Sequence, residues 1–250
     1  MPVQDFINRY AMSAGYTNKL SGLAFIPISG LPAASGTVDW YTCPAGKRAA
    51  VMGISYCSPS GSASITPMLK SGGNYYNLNS TQTATAIGVG AGGIVNLIIL
   101  EAGESISTNQ STSSINVWIS IMEFDSDIPF KTAKLLSLGS GNNTIYTCPT
   151  GKTAIFVSDN LSPLSASLVK SVNYWNNSGG SRNISLYHVP SGGSPGTSNM
   201  LLPTTPQAVS NGSFMTNSSV SNCMNAGDSI VINTDAATAT QFAWVTVQEI

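Results

Sequence analysis

Two stretches of this 250-residue chain match the spacing of catalytic or cofactor motifs. Gly192-Gly-Ser-Pro-Gly196 satisfies G-x-S-x-G, with His188 just upstream. In a nucleophile elbow the residue after the serine donates its backbone N–H to the oxyanion and opens a helix. Here that residue is Pro195, which has no N–H, and the Gly/Ser-rich surroundings fit no strand-turn-helix, so the stretch reads as a solvated loop. Gly88-Val-Gly-Ala-Gly-Gly93 fits G-x-G-x-x-G, but a dinucleotide site needs a following helix and an acidic residue about 20 positions on. The chain offers the strand-like Ile94-Val-Asn-Leu-Ile-Ile-Leu100 and a Ser/Thr run around Ser113 instead.

Metal and acid–base chemistry fare no better. His188 is the sole histidine, so a His-rich metal centre is excluded. Cys43, Cys57, Cys148 and Cys223 lack paired zinc spacing and read as buried thiols, with a Cys43–Cys148 contact left open. Asp125 and Asp127 suit a solvated linker, not a catalytic pair. No catalytic, cofactor or metal residue is assigned, and the expectation is a protein that is not an enzyme. Recognition is a different matter: Tyr174, Trp175, Tyr187 and His188 cluster with Asn176 and Asn177, a set that suits receptor contact through stacking and hydrogen bonds, or that packs locally.

Composition narrows the partners. Charged residues make up 8% of the chain, against about 25% for an average soluble domain. A net charge of −1 without a Lys/Arg cluster cannot neutralise a row of phosphates, so nucleic acid is excluded. The polar surface must come from 37 Ser, 22 Thr and 21 Asn, residues that favour strands and turns over helix interiors. The first residues lack a basic n-region, so no secretory signal is expected. The longest apolar run, Ile94–Leu100, falls far short of the ~20 residues of a spanning helix, so no membrane partner is expected.

An internal repeat organises the chain. Tyr41-Thr-Cys-Pro-Ala-Gly-Lys47 recurs as Tyr146-Thr-Cys-Pro-Thr-Gly-Lys152, Ala102-Gly-Glu-Ser-Ile106 as Ala226-Gly-Asp-Ser-Ile230, and Trp118 with Glu123 as Trp244 with Glu249. The matches define units over 36–125 and 140–250, a linker over 126–139, an arm over 1–35, and an insertion in the second unit around 171–207. Equivalent placement of Glu123 and Glu249 argues for a shared structural role. The arm carries Phe6 and Tyr10 at i,i+4 spacing on a short helix, then runs extended from Gly15 to Pro32.

Each unit reads as strands. Pro44 and Gly46 make a turn between Val38–Thr42 and Ala49–Tyr56, with proline presetting φ and glycine accepting a positive one. In Ile115-Asn-Val-Trp-Ile-Ser-Ile-Met-Glu123 the apolar residues alternate at period two, a strand with one buried face. Trp118 then points outward, towards the other unit or a partner, and Trp244 repeats it. Short strands separated by Gly/Pro/Asn/Ser turns predict an all-β fold of two tandem Greek-key or jelly-roll-like β-sandwiches after an N-terminal arm.

The pattern of a strand, Tyr-Thr-Cys-Pro-x-Gly-Lys, a second strand, Ala-Gly-Glu/Asp-Ser-Ile and a closing strand ending in Glu resembles the tandem β-sandwich modules of tailed-bacteriophage virion proteins, of the decoration (cement) or fibre kind. It covers about 200 residues. The resemblance implies assembly into the virion in the host cytoplasm, commonly as a homo-trimer, with major capsid or tail proteins as partners and no enzymatic activity. Phe6, Tyr10, Trp118 and Trp244 are the expected partner contacts. The leading expectation is a capsid-decorating protein; the alternatives are a tail-fibre or receptor-binding protein that recognises host glycans and a carbohydrate-binding module.

Overall fold

A computed structural model of the chain describes residues 24–32, 34–58, 61–84, 98–128, 130–156, 172–202, 206–217, 223–238 and 240–249. It is all-β, with no α-helix among the described residues. The first half holds β1 (Ala24–Gly30), β2 (Gly36–Thr42), β3 (Lys47–Cys57), β4 (Ala63–Ser71), β5 (Asn74–Asn77), β6 (Gln82–Ala84), β7 (Ile98–Leu100), β8 (Ser105–Gln110) and β9 (Asn116–Asp125). The second holds β10 (Phe130–Leu135), β11 (Gly141–Thr147), β12 (Ala154–Phe156), β13 (Val172–Asn176), β14 (Arg182–Val189), β15 (Gln207–Val209), β16 (Ser213–Asn217), β17 (Cys223–Met224), β18 (Ser229–Thr234) and β19 (Gln241–Glu249).

These strands form two antiparallel sheets per half. In the first half β1-β9-β3-β7 faces β2-β8-β4-β5, with β6 also on β4. In the second, β16-β13-β19-β12-β17, with β10 on β19, faces β11-β18-β14-β15. The period-two pattern sets the inner faces: Val117, Ile119 and Ile121 on β9 join Val51, Ile54, Ile65, Leu69 and Ile106 in one core. Val245, Val247, Tyr174, Leu186, Ile230 and Ile232 build the other.

The halves repeat one scheme of register and hydrogen bonds. Ala49 pairs with Leu100 and Glu123 as Ala154 pairs with Met224 and Glu249. A β-bulge interrupts β2 between Asp39 and Tyr41, and another interrupts β11 between Thr144 and Tyr146. The two Pro-x-Gly-Lys turns close alike, with Lys47 N–H on Pro44 O at 3.3 Å and Lys152 N–H on Pro149 O at 3.1 Å. Their glycines, Gly46 and Gly151, sit at φ 75° and 74°, the left-handed region that side chains disfavour.

The register moves three boundaries read from the sequence. Residues 24–30 of the supposed arm are a strand, because Ile26 and Ile28 alternate into the first core while β1 pairs along β9. Residues 130–135 of the supposed linker are likewise a strand on β19. Phe25 lies opposite Met122 and Phe130 opposite Gln248, so β10 stands to β19 as β1 stands to β9. Within 171–207, β13 and β14 are sheet strands with first-half counterparts: Val172 faces Val245 as Ile54 faces Ile119, and Ile184 faces Thr234 as Ile65 faces Gln110. The extra length of the second half falls between Phe156 and Val172 and between β14 and β15.

One half sits on the other. Trp175, Phe242 and Trp244, on the outer face of β13 and β19, belong to the first half's core cluster with Tyr76 and Leu136 beside them. Phe242 stacks on Trp244 at 4.7 Å between centroids and meets Tyr76 at 5.5 Å. Polar ties reinforce the seam: Ile99 N–H donates to Thr132 Oγ1 (2.8 Å), which also bonds Thr246 Oγ1 (2.7 Å). Arg48 donates to Ile128 O at 3.0 Å, and Lys134 forms a largely buried ion pair with Glu104.

Candidate functional site

The repeated motif residues bond to one another. Tyr41 O–H donates to Glu123 at 2.7 Å and Tyr146 O–H to Glu249 at 2.9 Å. Burial and the adjacent carboxylate push both phenols well above the ordinary tyrosine range. Cys43 Sγ points at Lys47 O and Cys148 Sγ at Lys152 O, each at 3.3 Å, and no disulfide joins the two cysteines. The contact left open between them is therefore absent, because each thiol is turned into its own tight turn. Burial raises the Cys43 thiol to about 11, so it is protonated and unreactive at neutral pH.

His188 and Asp228 meet across β14 and the turn before β18, Nε2 to Oδ2 at 3.1 Å. Asp228 also accepts the N–H groups of Asn225 (2.9 Å) and Ser191 (3.0 Å). Burial alone would raise its carboxyl, but these donors hold it below the usual range. The dyad thus pins the Pro190–Gly193 turn to the Asn225–Asp228 turn. Ser194 is exposed on the loop beyond, where its carbonyl accepts from Asn199. Asp125 is paired with Lys47 at 2.7 Å. Among the described residues no group of three His, Cys, Asp or Glu side chains is placed to hold a metal ion. Gly88–Gly93, Phe6 and Tyr10 lie outside the described residues.

The expected contact residues separate. Trp118 is 45% exposed on the outer face of the first half, beside Ser29 and Ser55. Trp244, its counterpart, is fully buried under the first half and is not a contact for an outside partner. Tyr174 is a core residue whose hydroxyl donates to Gln241 at 2.6 Å, which takes it out of any receptor surface. Tyr187 and His188 lie on β14 in the opposite sheet from Trp175, so the four do not form one surface.

Trp175 instead reaches a cleft of ≈ 450 Å³ at the junction of the halves. It is lined by Asn74, Tyr75, Tyr76 and Asn77 of β5, by Leu136 and Ser137 just after β10, and by Trp175, Asn177, Thr240 and Phe242 of the second half. Nothing in the sequence flagged β5, because Asn74-Tyr-Tyr-Asn77 lies outside the repeated motifs and becomes part of a site only when the halves dock.

No protein-family model matches the chain, and no curated protein matches it. Solved structures give remote likenesses. The tandem CBM22-1–CBM22-2 domain of Paenibacillus barcinonensis Xyn10C is 9% identical, covering 92% of this chain and 93% of that one, with a TM-score of 0.21. A Sulfolobus turreted icosahedral virus chain is 13% identical over 90% of this chain and 59% of its own, with a TM-score of 0.24. Both are β-sandwich proteins, and the likeness goes no further than that class.

Proposed function

We propose that the chain is a non-enzymatic structural protein of a bacteriophage virion, a capsid decoration protein that binds the head shell and assembles with further copies of itself, as a trimer on the resemblance to tailed-phage virion modules. The observation that carries this reading is the exposed part of the first sandwich's outer face, beyond the Ala50–Ile99–Phe124 patch that packs against Ile128 and Phe130. Phe25 (45% exposed) and Trp118 (45%) stand on that face of β1 and β9, and Leu31 (59%) follows directly. Large apolar side chains exposed together on one sheet face are characteristic of interaction surfaces. The corresponding face of the second half is covered by another β-sandwich, which is the kind of partner such a face receives. Among the described strands β1 is an edge with one neighbour, and it carries no lysine, a liability in a monomer that an assembly covers. Both halves are read as copies of one module, consistent with their shared register.

Purified virions supply the test. A copy number comparable with the major capsid protein's supports decoration, a far smaller one supports a tail or fibre location, and absence from particles refutes the virion reading. A Phe25→Ser, Trp118→Ser double variant is expected to lose particle binding with its β-sheet circular dichroism intact; retained binding removes this face from the interface.

A further inference from the structure

We infer that the cleft between the halves is a binding site for a neutral mono- or disaccharide. Its ≈ 450 Å³ lies within the ~300–1,000 Å³ of small-molecule pockets. None of the ten lining residues carries a charge at neutral pH. Lys70, over the Tyr75 ring at 5.3 Å, is already paired with Asp39, so the cleft offers no free cation to an anionic ligand.

The lining has the two surfaces a pyranose needs. A sugar ring presents an apolar C–H face, which stacks on aromatic rings, and a rim of hydroxyls that both donate and accept. Trp175 and Phe242 are buried beneath the cleft (4% and 1% exposed), Phe242 packed on Trp244 and Tyr76, so the ring a sugar can stack on is that of Tyr75, 40% exposed. Asn74, Asn77 and Asn177 line the same cleft, and no described residue hydrogen-bonds their side-chain amides. The contrast with Asn176 is informative. Its amide is buried and donates to Gly180 O and Val209 O, whereas that of Asn177, one residue on, is directed to no structural task. An asparagine amide offers two donors and an acceptor, the complement of vicinal hydroxyls. Aromatic stacking beside three uncommitted amides, without charge, selects a neutral polyhydroxylated ligand over a phosphate, a sialylated glycan or an apolar molecule.

Isothermal calorimetry and saturation-transfer NMR on the full chain, with maltose, cellobiose, lactose and N,N′-diacetylchitobiose as neutral probes and 3′-sialyllactose as the charged one, test this. At least one neutral probe is expected to bind in preference to the charged one. Tyr75→Ala and Asn177→Ala, both at exposed positions, should each weaken it by about tenfold, the order of one aromatic or hydrogen-bonded contact. Thr144→Ala, exposed on β11 outside the cleft, should leave it unchanged. Failure of all neutral probes, tighter binding of 3′-sialyllactose, or binding indifferent to both cleft variants overturns the inference. Sugar binding and incorporation into particles are separate measurements, so either reading can fail alone.

Discussion

Asp228 and Glu104 occupy the same place in their halves and show how one residue position is adapted twice. Each carboxylate accepts the N–H of the residue that opens its turn, Glu101 for Glu104 and Asn225 for Asp228, at 2.9 Å in both. The remaining oxygen capacity then diverges, to Lys134 in the seam and to His188 and the Ser191 N–H at the surface turn. For Asp228 the consequence is a pH dependence. Its folded carboxyl is held below the unfolded value of about 3.9, so its contribution is fully present above that pH and is lost as pH falls through the folded value. Glu249, held down by Lys131 and Tyr146 against the opposing effect of burial, acts in the same direction. Asp228→Asn is expected to cost about 1–3 kcal/mol at neutral pH, where Asn replaces an acceptor with a donor facing Asn225 or Ser191. Thermal melts from pH 2 to 7 should show a shallower acid limb for the variant; a limb as steep as the parent's would remove Asp228 from it.

At the scale of elements, the strands legible in the sequence are those with alternation and a bounding Gly or Pro turn, such as β3, β9 and β19. The first strand of each half was not legible, for a physical reason. Both β1 and β10 are edge additions whose pairing is with the closing strand, far away in sequence, and their residues share little beyond Phe25 and Phe130. Pro27 also argues against a central strand, yet an edge tolerates it because one side of β1 pairs with no described strand. Removing β1 strips Ile26 and Ile28 from the core and leaves β9 without a neighbour on that side. Each half-buried isoleucine contributes on the order of 1 kcal/mol, about half of what full burial gives. A chain beginning at Ala24 should therefore melt several degrees above one beginning at Leu31, as measured by circular dichroism. Equal melting temperatures would mean that β1 contributes nothing to the fold.

For the whole molecule, the decisive event is docking of the halves, which gives identical sequence positions opposite fates. Trp118 and Trp244 lie at the same register of equivalent closing strands, each two residues before a small hydroxyl residue, Ser120 or Thr246, on the same outer face. Sequence periodicity places both outward but holds no information on which outer face another sandwich will cover, since that depends on contacts made by β5 and β7 from the other half. The candidate site shares this limit: Trp175 could be picked out as an aromatic near amides, but its companions Tyr75, Tyr76 and Asn77 come from a strand about 100 residues earlier that only docking brings near. The two tryptophans therefore separate surface from seam in one experiment. Trp244→Ala opens a cavity beneath Phe242 and should cost about 3–5 kcal/mol, as large-to-small changes at buried aromatic positions do. Trp118→Ala should stay within about 0.5 kcal/mol, the range of surface substitutions. Urea unfolding followed by tryptophan fluorescence and circular dichroism distinguishes them, and the seam variant is further expected to split the transition as the halves lose their mutual support. A Trp118→Ala chain as unstable as Trp244→Ala would mean that the open face is already covered in solution, which sedimentation would then reveal as self-association.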